Sequence, residues 1–285
     1  MKSILVEQAG RRERLLGKLA IIGMGLLAVF VIGSLGAHAA QESALPDASS
    51  LLHKAAQAIH IQNEESWYAM RLFDADGKES GSRKMHVWFK SKTDSENKLL
   101  IKFTEPANIR GTGILTLLQK GQTAEQWLYL PAYRKVRRIR KGNENEAFLG
   151  SDFSMADISA EHEGSFDFKN TGVQKCGQNE CYVLNGTPKA DLDKESQIYS
   201  KKVVYVRKDN GLNARTEFFN QDNQLEKVMV LNGIKLDGAK RWVADQIEMK
   251  NLLTKTRTTI DFEKRDTEKV PADSIFTQAF LEKGV

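Results

Sequence analysis

The sequence lacks every short signature that would organise common catalytic chemistry. It contains no G-x-S-x-G, which excludes the nucleophile elbow of α/β-hydrolases. It contains no P-loop, no H-E-x-x-H and no G-x-G-x-x-G, which excludes the phosphate, zinc-protease and dinucleotide sites those patterns build. Histidine is scarce: His38, His53, His60, His86 and His162 are all there are. Apart from the wide gap between His53 and His60 they show no ligand spacing, so each reads as a solvated or capping residue. Cysteine is scarcer still. Cys176 and Cys181 have no further ligands beside them, which argues against zinc, and in an oxidising compartment a close pair reads as a local disulfide. No repeat of the solenoid kind is present. No metal, cofactor or catalytic group is therefore expected, and the chain reads as a binder rather than an enzyme.

A strong net charge is also missing, although the whole chain suggests otherwise. Of 42 basic and 37 acidic residues, five basic and two acidic ones lie in the first 39 positions, which leaves 37 against 35. That balance argues against a nucleic-acid partner. The first 39 residues have their own logic. Lys2, Arg11, Arg12, Arg14 and Lys18 form a basic head, an uncharged apolar run follows from Leu19 to Ala37, and Ala37-His38-Ala39 closes it. This is the pattern of a cleaved secretory signal peptide over residues 1–39, with the mature chain starting at Ala40 or Gln41. The alternative is an uncleaved anchor, since about 18 apolar residues can span a bilayer. Cleavage predicts a periplasmic location. Neither cysteine follows the leader, so no acyl anchor is expected at the mature end.

Downstream, the hydrophobic period changes once. Asp47 to His60 has Leu51, Leu52, Ala55, Ala56 and Ile59 at helical spacing, and Asp47 or Ser49 can cap it. Thereafter the period is two. Strands are predicted over Ser66–Phe73, Lys84–Lys90, Lys98–Phe103, Gly111–Leu118, Glu125–Leu130 and Arg134–Lys141. A second run covers Lys202–Lys208, Leu212–Phe219, Leu225–Leu231, Ile234–Leu236, Arg241–Met249 and Thr254–Lys264. Asp76-Gly77, Asn210-Gly211 and Asp237-Gly238 supply tight turns. Asp74-Ala75-Asp76-Gly77 faintly resembles the start of a calcium loop, but the distal ligands are missing and a hairpin turn fits better. Asp191, Asp193 and Glu195 read as a solvated loop. Gly142–Gly150 interrupts the strands, and Ser151 or Asp152 could cap a short helix through Met155 and Ile158.

So many strands with one long helix pose a covering problem. A single helix covers them only if the sheet curls around it. The expected fold is therefore mainly β (α+β): a strongly curved antiparallel sheet, or half-barrel, covered by the N-terminal helix and a short central helix or loop. Any space left inside would be apolar.

One segment is more specific. Gln126-Trp127-Leu128-Tyr129-Leu130-Pro131-Ala132-Tyr133-Arg134-Lys135-Val136-Arg137-Arg138-Ile139, followed by Phe148-Leu149-Gly150-Ser151-Asp152-Phe153-Ser154-Met155-Ala156-Asp157-Ile158, resembles the outer membrane lipoprotein-sorting protein family, relatives of LolA. The Gly111-Thr112-Gly113 start of the preceding strand fits the same pattern. The resemblance implies a LolA/LolB-like half-barrel with a lid and a cavity for acyl chains, in a single lipid-binding domain over residues 40–285. It also implies a monomeric periplasmic carrier of lipid or acylated protein cargo, with an inner-membrane lipid or hydrophobe exporter as a possible partner. The chain departs from LolA in being longer and in its basic stretch from Arg134 to Lys141, and no single residue is assigned as a gating arginine.

On that reading the cavity candidates are Trp67, Trp88, Phe103, Leu115, Leu117, Trp127, Tyr129, Phe153 and Met155. Arg134, Lys135, Arg137 and Arg138, with Arg140 and Lys141 beyond them, are candidates for headgroup or partner contact, or else for a solvated sheet face. Two other functions remain open: an envelope-stress signalling adaptor of the RseB kind, and a non-carrying accessory subunit of an exporter. About 40 residues after Asp245 read as last strands and a short tail, not as a further domain.

Overall fold

A computed structural model describes residues 44–58, 62–93, 96–119, 124–139, 145–158, 165–190, 197–238 and 240–283. The leader, the end of the first helix at Ile59 and His60, Arg140 to Glu144, His162 and the acidic 191–195 segment lie outside them.

Among the described residues fifteen strands are formed, thirteen of them in one sheet. They are β1 (Asn63–Phe73), β2 (Glu79–Thr93), β3 (Glu96–Glu105), β4 (Gly113–Leu118), β5 (Glu125–Leu130), β6 (Lys135–Arg138), β7 (Phe166–Cys176), β8 (Asn179–Pro188), β9 (Lys201–Arg207), β10 (Asn213–Phe219), β11 (Leu225–Asn232), the small pair β12 (Lys235–Leu236) and β13 (Trp242–Val243), β14 (Gln246–Asn251) and β15 (Arg257–Asp266). The large sheet runs β6-β5-β4-β3-β2-β1-β15-β14-β11-β10-β9-β8-β7, antiparallel throughout. Its topology follows from local hairpins. The chain walks out from β1 to the β6 edge, jumps to the opposite edge at β7, and walks back until β15 pairs with β1. That last pairing, Phe73 against Arg257 through Glu65 against Asp266, places both halves in one sheet.

Curvature follows from what the connection between the two edges touches. Phe148 packs against Phe103 of β3 with ring centroids 5.6 Å apart, while Asp157 accepts a hydrogen bond from Tyr199, just before β9. In a flat sheet β3 and β9 would stand about 34 Å apart, at roughly 4.8 Å per strand. Ten residues containing a helical turn cannot bridge that distance, so the sheet is rolled toward this segment. Breaks in register at Trp67/Tyr68, Leu72/Phe73 and Asn170/Val173 supply local bends.

Both faces are covered. On the inner face, Met70, Met85, Val87, Ile101, Phe103, Ile114, Phe166, Phe218 and Met249 form one core with Phe148, Phe153 and Met155 of the connection. Helix α1 (Ala48–Ala58) closes one flank, with Ala48, Leu51 and Ala55 against Leu184, Val204 and Val206. Asp47 caps it by accepting from the Ser50 amide at 2.9 Å. Ala56, expected on its apolar face, is exposed because the sheet meets only the narrower Leu51–Ala55 stripe. On the outer face Trp88, Leu100, Leu115 and Trp127 lie under Phe276 and Leu281. Leu281 belongs to helix α3 (Gln278–Glu282), so the expected short tail is in fact a cover. Gly113 is what admits it: a Cβ there would stand 2.7 Å from the Leu281 Cδ1. Lys102, buried beside it, donates its ammonium to the carbonyls of Leu281 and Lys283 and pins the helix end.

The strand limits differ from expectation in informative places. β2 extends well beyond Lys84–Lys90 because its exposed face is charged and the alternation is diluted, and β7 and β8 are strand-like runs on either side of the Cys176–Cys181 turn. Arg241–Met249 is broken at Ala244–Asp245, and Arg134–Lys141 narrows to Lys135–Arg138 within the described residues. Among the described residues no helix is long and apolar enough to cross a membrane, and no cluster of three metal-ligating side chains occurs.

Candidate functional site

The sequence segment Phe148 to Ile158 is a lid lying across the inner face. Its apolar residues point inward as a plug: Phe148, Phe153 and Met155 are buried in the core. Its polar residues hold it in place, each with a definable task. Leu149 and Gly150 turn the chain with positive φ, 49° and 75°. This turn aims the Leu149 carbonyl at Arg83 on β2, whose Nη2 donates to it at 2.7 Å. Burial lowers the Arg83 pKa from its usual value, and its Nε is buried without a partner.

Asp152 is the second fastening. Its carboxylate accepts from the hydroxyls of Thr256 and, at 2.6 Å, Thr258, and its amide donates to the Thr258 hydroxyl oxygen at 3.0 Å. The third is Asp157, which accepts from the Tyr199 hydroxyl at 2.9 Å and stands 3.7 Å from the Lys227 ammonium. Burial, followed by the Asp157 charge, raises the Tyr199 pKa well above its usual value, so Tyr199 stays a donor.

The same Asp157 closes a capping box. Its carboxylate accepts from the Ser154 amide at 2.8 Å and its own amide donates to the Ser154 hydroxyl oxygen at 3.1 Å. The short helix α2 (Met155–Ile158) therefore starts from Ser154, not from Ser151 or Asp152. Asp152 is committed to the threonines of β15 and its approach.

The nine cavity candidates do not come together. Phe103, Phe153 and Met155 lie in the inner core with the lid. Trp88, Leu115, Leu117, Trp127 and Tyr129 belong to the outer-face cluster under α3, because their neighbours Ile101, Ile114 and Leu128 take the inner face. Trp67 is also outside: it stacks on His86 at 4.4 Å, and His86 meets Trp88 at 3.7 Å. His86 is thus neither solvated nor a cap. Its Nε2 bonds Glu65 at 2.9 Å, and burial lowers its pKa although Glu65 opposes the shift. The apolar residues that line the inner face instead, notably Met70, Met85, Val87 and Met249, were missed, as was Arg83. Nothing in a two-residue period says which face curls inward.

The basic strand is an edge. Lys135, Arg137 and Arg138 of β6 are exposed, as is Arg134 in the preceding turn at φ 49°. Arg138 pairs with Glu125 at 2.6 Å, and Arg137 lies over the Tyr133 ring at 5.4 Å. Asp74 makes the expected hairpin turn, accepting from the amides of Asp76 and Lys78, which leaves nothing of the calcium-loop pattern. Cys176 and Cys181 are bridged at the tip of the β7–β8 hairpin.

Comparison with known proteins agrees with this architecture. A family model described only as "Uncharacterized protein"-like matches residues 95–283. A solved domain from Vibrio parahaemolyticus, described as an outer membrane lipoprotein-sorting protein domain, is 24% identical over 82% of this chain and 97% of its own, with a TM-score of 0.73. A DUF1329 family protein from Desulfovibrio piger is 26% identical over 81% of this chain and 96% of its own, also at 0.73. A LolA superfamily protein from Nitrosomonas europaea is 21% identical over 83% of this chain and all of its own, at 0.64. No curated protein matches. The family model covers well more than half of the sequence, so the chain belongs to that family, and the solved structures show that it shares the LolA-like fold.

Proposed function

We propose that this protein is a periplasmic carrier that encloses the apolar part of a lipid or lipid-tailed molecule between the curved sheet and the lid. It would move that cargo between inner and outer membrane, with an inner-membrane exporter as the candidate donor. The observation that carries this is the lid itself: an apolar plug held by a few polar fastenings over a mainly apolar floor.

The energetics support exchange. Withdrawing Phe148, Phe153 and Met155 costs roughly 5–9 kcal/mol at about 1.5–3 kcal/mol per buried side chain. An acyl chain that buries about 12 methylenes returns on the order of 10 kcal/mol at about 0.8 each. Cargo can therefore replace the plug at little net cost, and the empty protein closes on itself without exposing its floor to water. The fold, the disulfide and the leader pattern support an exported, envelope location.

The exposed Arg134, Lys135, Arg137 and Arg138 suit contact with an anionic headgroup or surface, at about 1 kcal/mol per cation near such a surface. They also blunt the β6 edge against pairing with another chain, as the Gly172 irregularity does at the β7 edge, which favours a monomer.

Lipid extraction and native mass spectrometry of the processed protein, with titration of a fluorescent fatty acid, test the reading. The expected result is a co-purified lipid or a saturable one-to-one probe complex. A protein that carries no lipid and binds no probe would instead be a non-carrying accessory subunit.

A further inference from the structure

The strand register gathers five turns at one end of the sheet: Asp74–Lys78, Pro106–Thr112, Pro131–Arg134, Asn220–Gln224 and Leu252–Thr256. Two of these carry large apolar side chains turned to solvent. Leu252 and Leu253, at the β14–β15 tip, are 46% and 52% exposed, and Tyr133 is 62% exposed. Cations stand among them: Lys78, Arg110, Arg134 and Lys255 on these turns are all exposed. Of the acids on these turns, Asp74 is turned inward onto two amides, which leaves Asp76 and Asp222 outward. An apolar pair flanked by cations is the chemistry of an interfacial contact with anionic lipid.

The same tip is wired to the lid. Asn251 holds the amides of Leu253 and Thr254, each at 3.0 Å, and donates its own amide to the Thr256 carbonyl. The hydroxyls of Thr254 and Thr256 meet at 2.6 Å, and Thr256 donates on to Asp152, the middle fastening of the lid. We propose that the Leu252–Leu253 tip docks the protein on an anionic phospholipid surface, and that the threonine chain to Asp152 couples docking to release of the lid. The purpose of that coupling rests on the carrier reading, but docking itself does not.

Flotation of the processed protein with phosphatidylcholine vesicles, with and without phosphatidylglycerol, measures docking without any cargo. The wild type is expected to float, more strongly with phosphatidylglycerol. Leu252→Ser combined with Leu253→Ser should weaken flotation about tenfold or more, since two leucines lose an apolar environment, while probe binding in solution is unchanged. Vesicles should speed release of a preloaded probe several-fold from the wild type. Thr256→Val should float normally yet release equally fast with and without vesicles, and Thr256→Ser, which keeps the hydroxyl, should behave as wild type. Docking is overturned if the wild type does not float, or if the double variant floats as well as the wild type. Coupling is overturned if Thr256→Val still needs vesicles to release its probe. Loss of probe binding by the wild type would sink the carrier reading separately, and flotation would still decide docking.

Discussion

Replacing Arg83 with leucine separates lid opening from global stability. The bond from Arg83 to the Leu149 carbonyl is charge-assisted and 2.7 Å long, the kind that contributes about 1.5–3 kcal/mol. Against this, the guanidinium is partly desolvated and its Nε is buried without a partner, a cost of about 1–3 kcal/mol. An apolar residue at position 83 removes gain and cost together, so the melting temperature should move by only a few degrees. The lid, however, loses one of three fastenings. At about 1.36 kcal/mol per decade, its open population should rise roughly 10- to 150-fold.

Amide hydrogen exchange reads this directly. The amides of Phe148 and Ser151 bond within the lid, to the carbonyls of Phe153 and Phe148, and Asp152 bonds to Thr258. The Asp152 amide, which bonds across to the sheet, should lose protection by that factor while the Phe148 and Ser151 amides within the lid and core amides of β1 and β15 keep theirs, and fatty-acid probe uptake should accelerate in parallel. Unchanged protection at Asp152 would refute the latch, and an equal loss throughout the sheet would show that Arg83 stabilises the whole fold instead.

Other outcomes follow from the same geometry. Trp127→Ala should cost about 3–5 kcal/mol of stability and leave probe affinity of the folded protein unchanged, because Trp127 lies under α3. Phe153→Ala should raise probe affinity, because it thins the plug; calorimetry and probe titration on both variants test the assignment of faces. Cys176→Ser with Cys181→Ser should cost about 2 kcal/mol, since the closed loop is short, and lower the melting temperature by about 4–8 °C; the unreduced, denatured wild type should titrate no free thiol. Acid should destabilise through Glu65 and Glu248. Burial pushes both carboxyls up, but Lys269 and His86 beside Glu65, and Lys250 and Arg257 beside Glu248, outweigh it and hold both below the ordinary value of 4.5. Their contribution is therefore complete above about pH 4.5 and is lost as pH falls through the lowered values, so Glu248→Gln should flatten the acid limb of a stability-against-pH curve.

The sheet was legible because alternation is a local property. Glu125–Leu130 shows Trp127 and Tyr129 on one face from spacing alone, and β4 shows two apolar faces because both are buried. What spacing does not encode is the direction of curl, and that decides which face becomes the interior. Trp127 and Trp88 looked like cavity walls because large aromatics suit both a cavity and a cover. Arg83 sits in an ordinary charged alternation, Ser82-Arg83-Lys84, and only the lid's turn at Leu149 gives it a role. The Gly-Ser-Asp-Phe-Ser segment, by contrast, carried a family resemblance whose physical content is now explicit: a left-handed turn, a threonine hook, a plug and a capping box.

Which of the two covers can yield to a greasy ligand is decided by what lies beneath each. Under α3 sits Lys102, its pKa pushed down to about 8 by burial, with its ammonium spent on the carbonyls of Leu281 and Lys283. An acyl chain in place of the helix would offer that ammonium nothing, and a buried charge stripped of its partners costs about 3–5 kcal/mol. Under the lid lie Met70, Met85, Val87, Ile101, Phe103, Ile114 and Met249, which an acyl chain covers as well as the plug does. Two of the lid's fastenings, Arg83 with Leu149 and Asp152 with Thr256, are only part-buried, and the groups on the lid side, the Leu149 carbonyl and the Asp152 carboxylate, can turn to water when it lifts. Both covers bury several large apolar side chains, Phe148, Phe153 and Met155 in one and Phe276 and Leu281 in the other, so burial alone does not choose between them. The placement of polar groups does, and on the carrier reading proposed above it is the lid over the inner face, not α3, that cargo would displace.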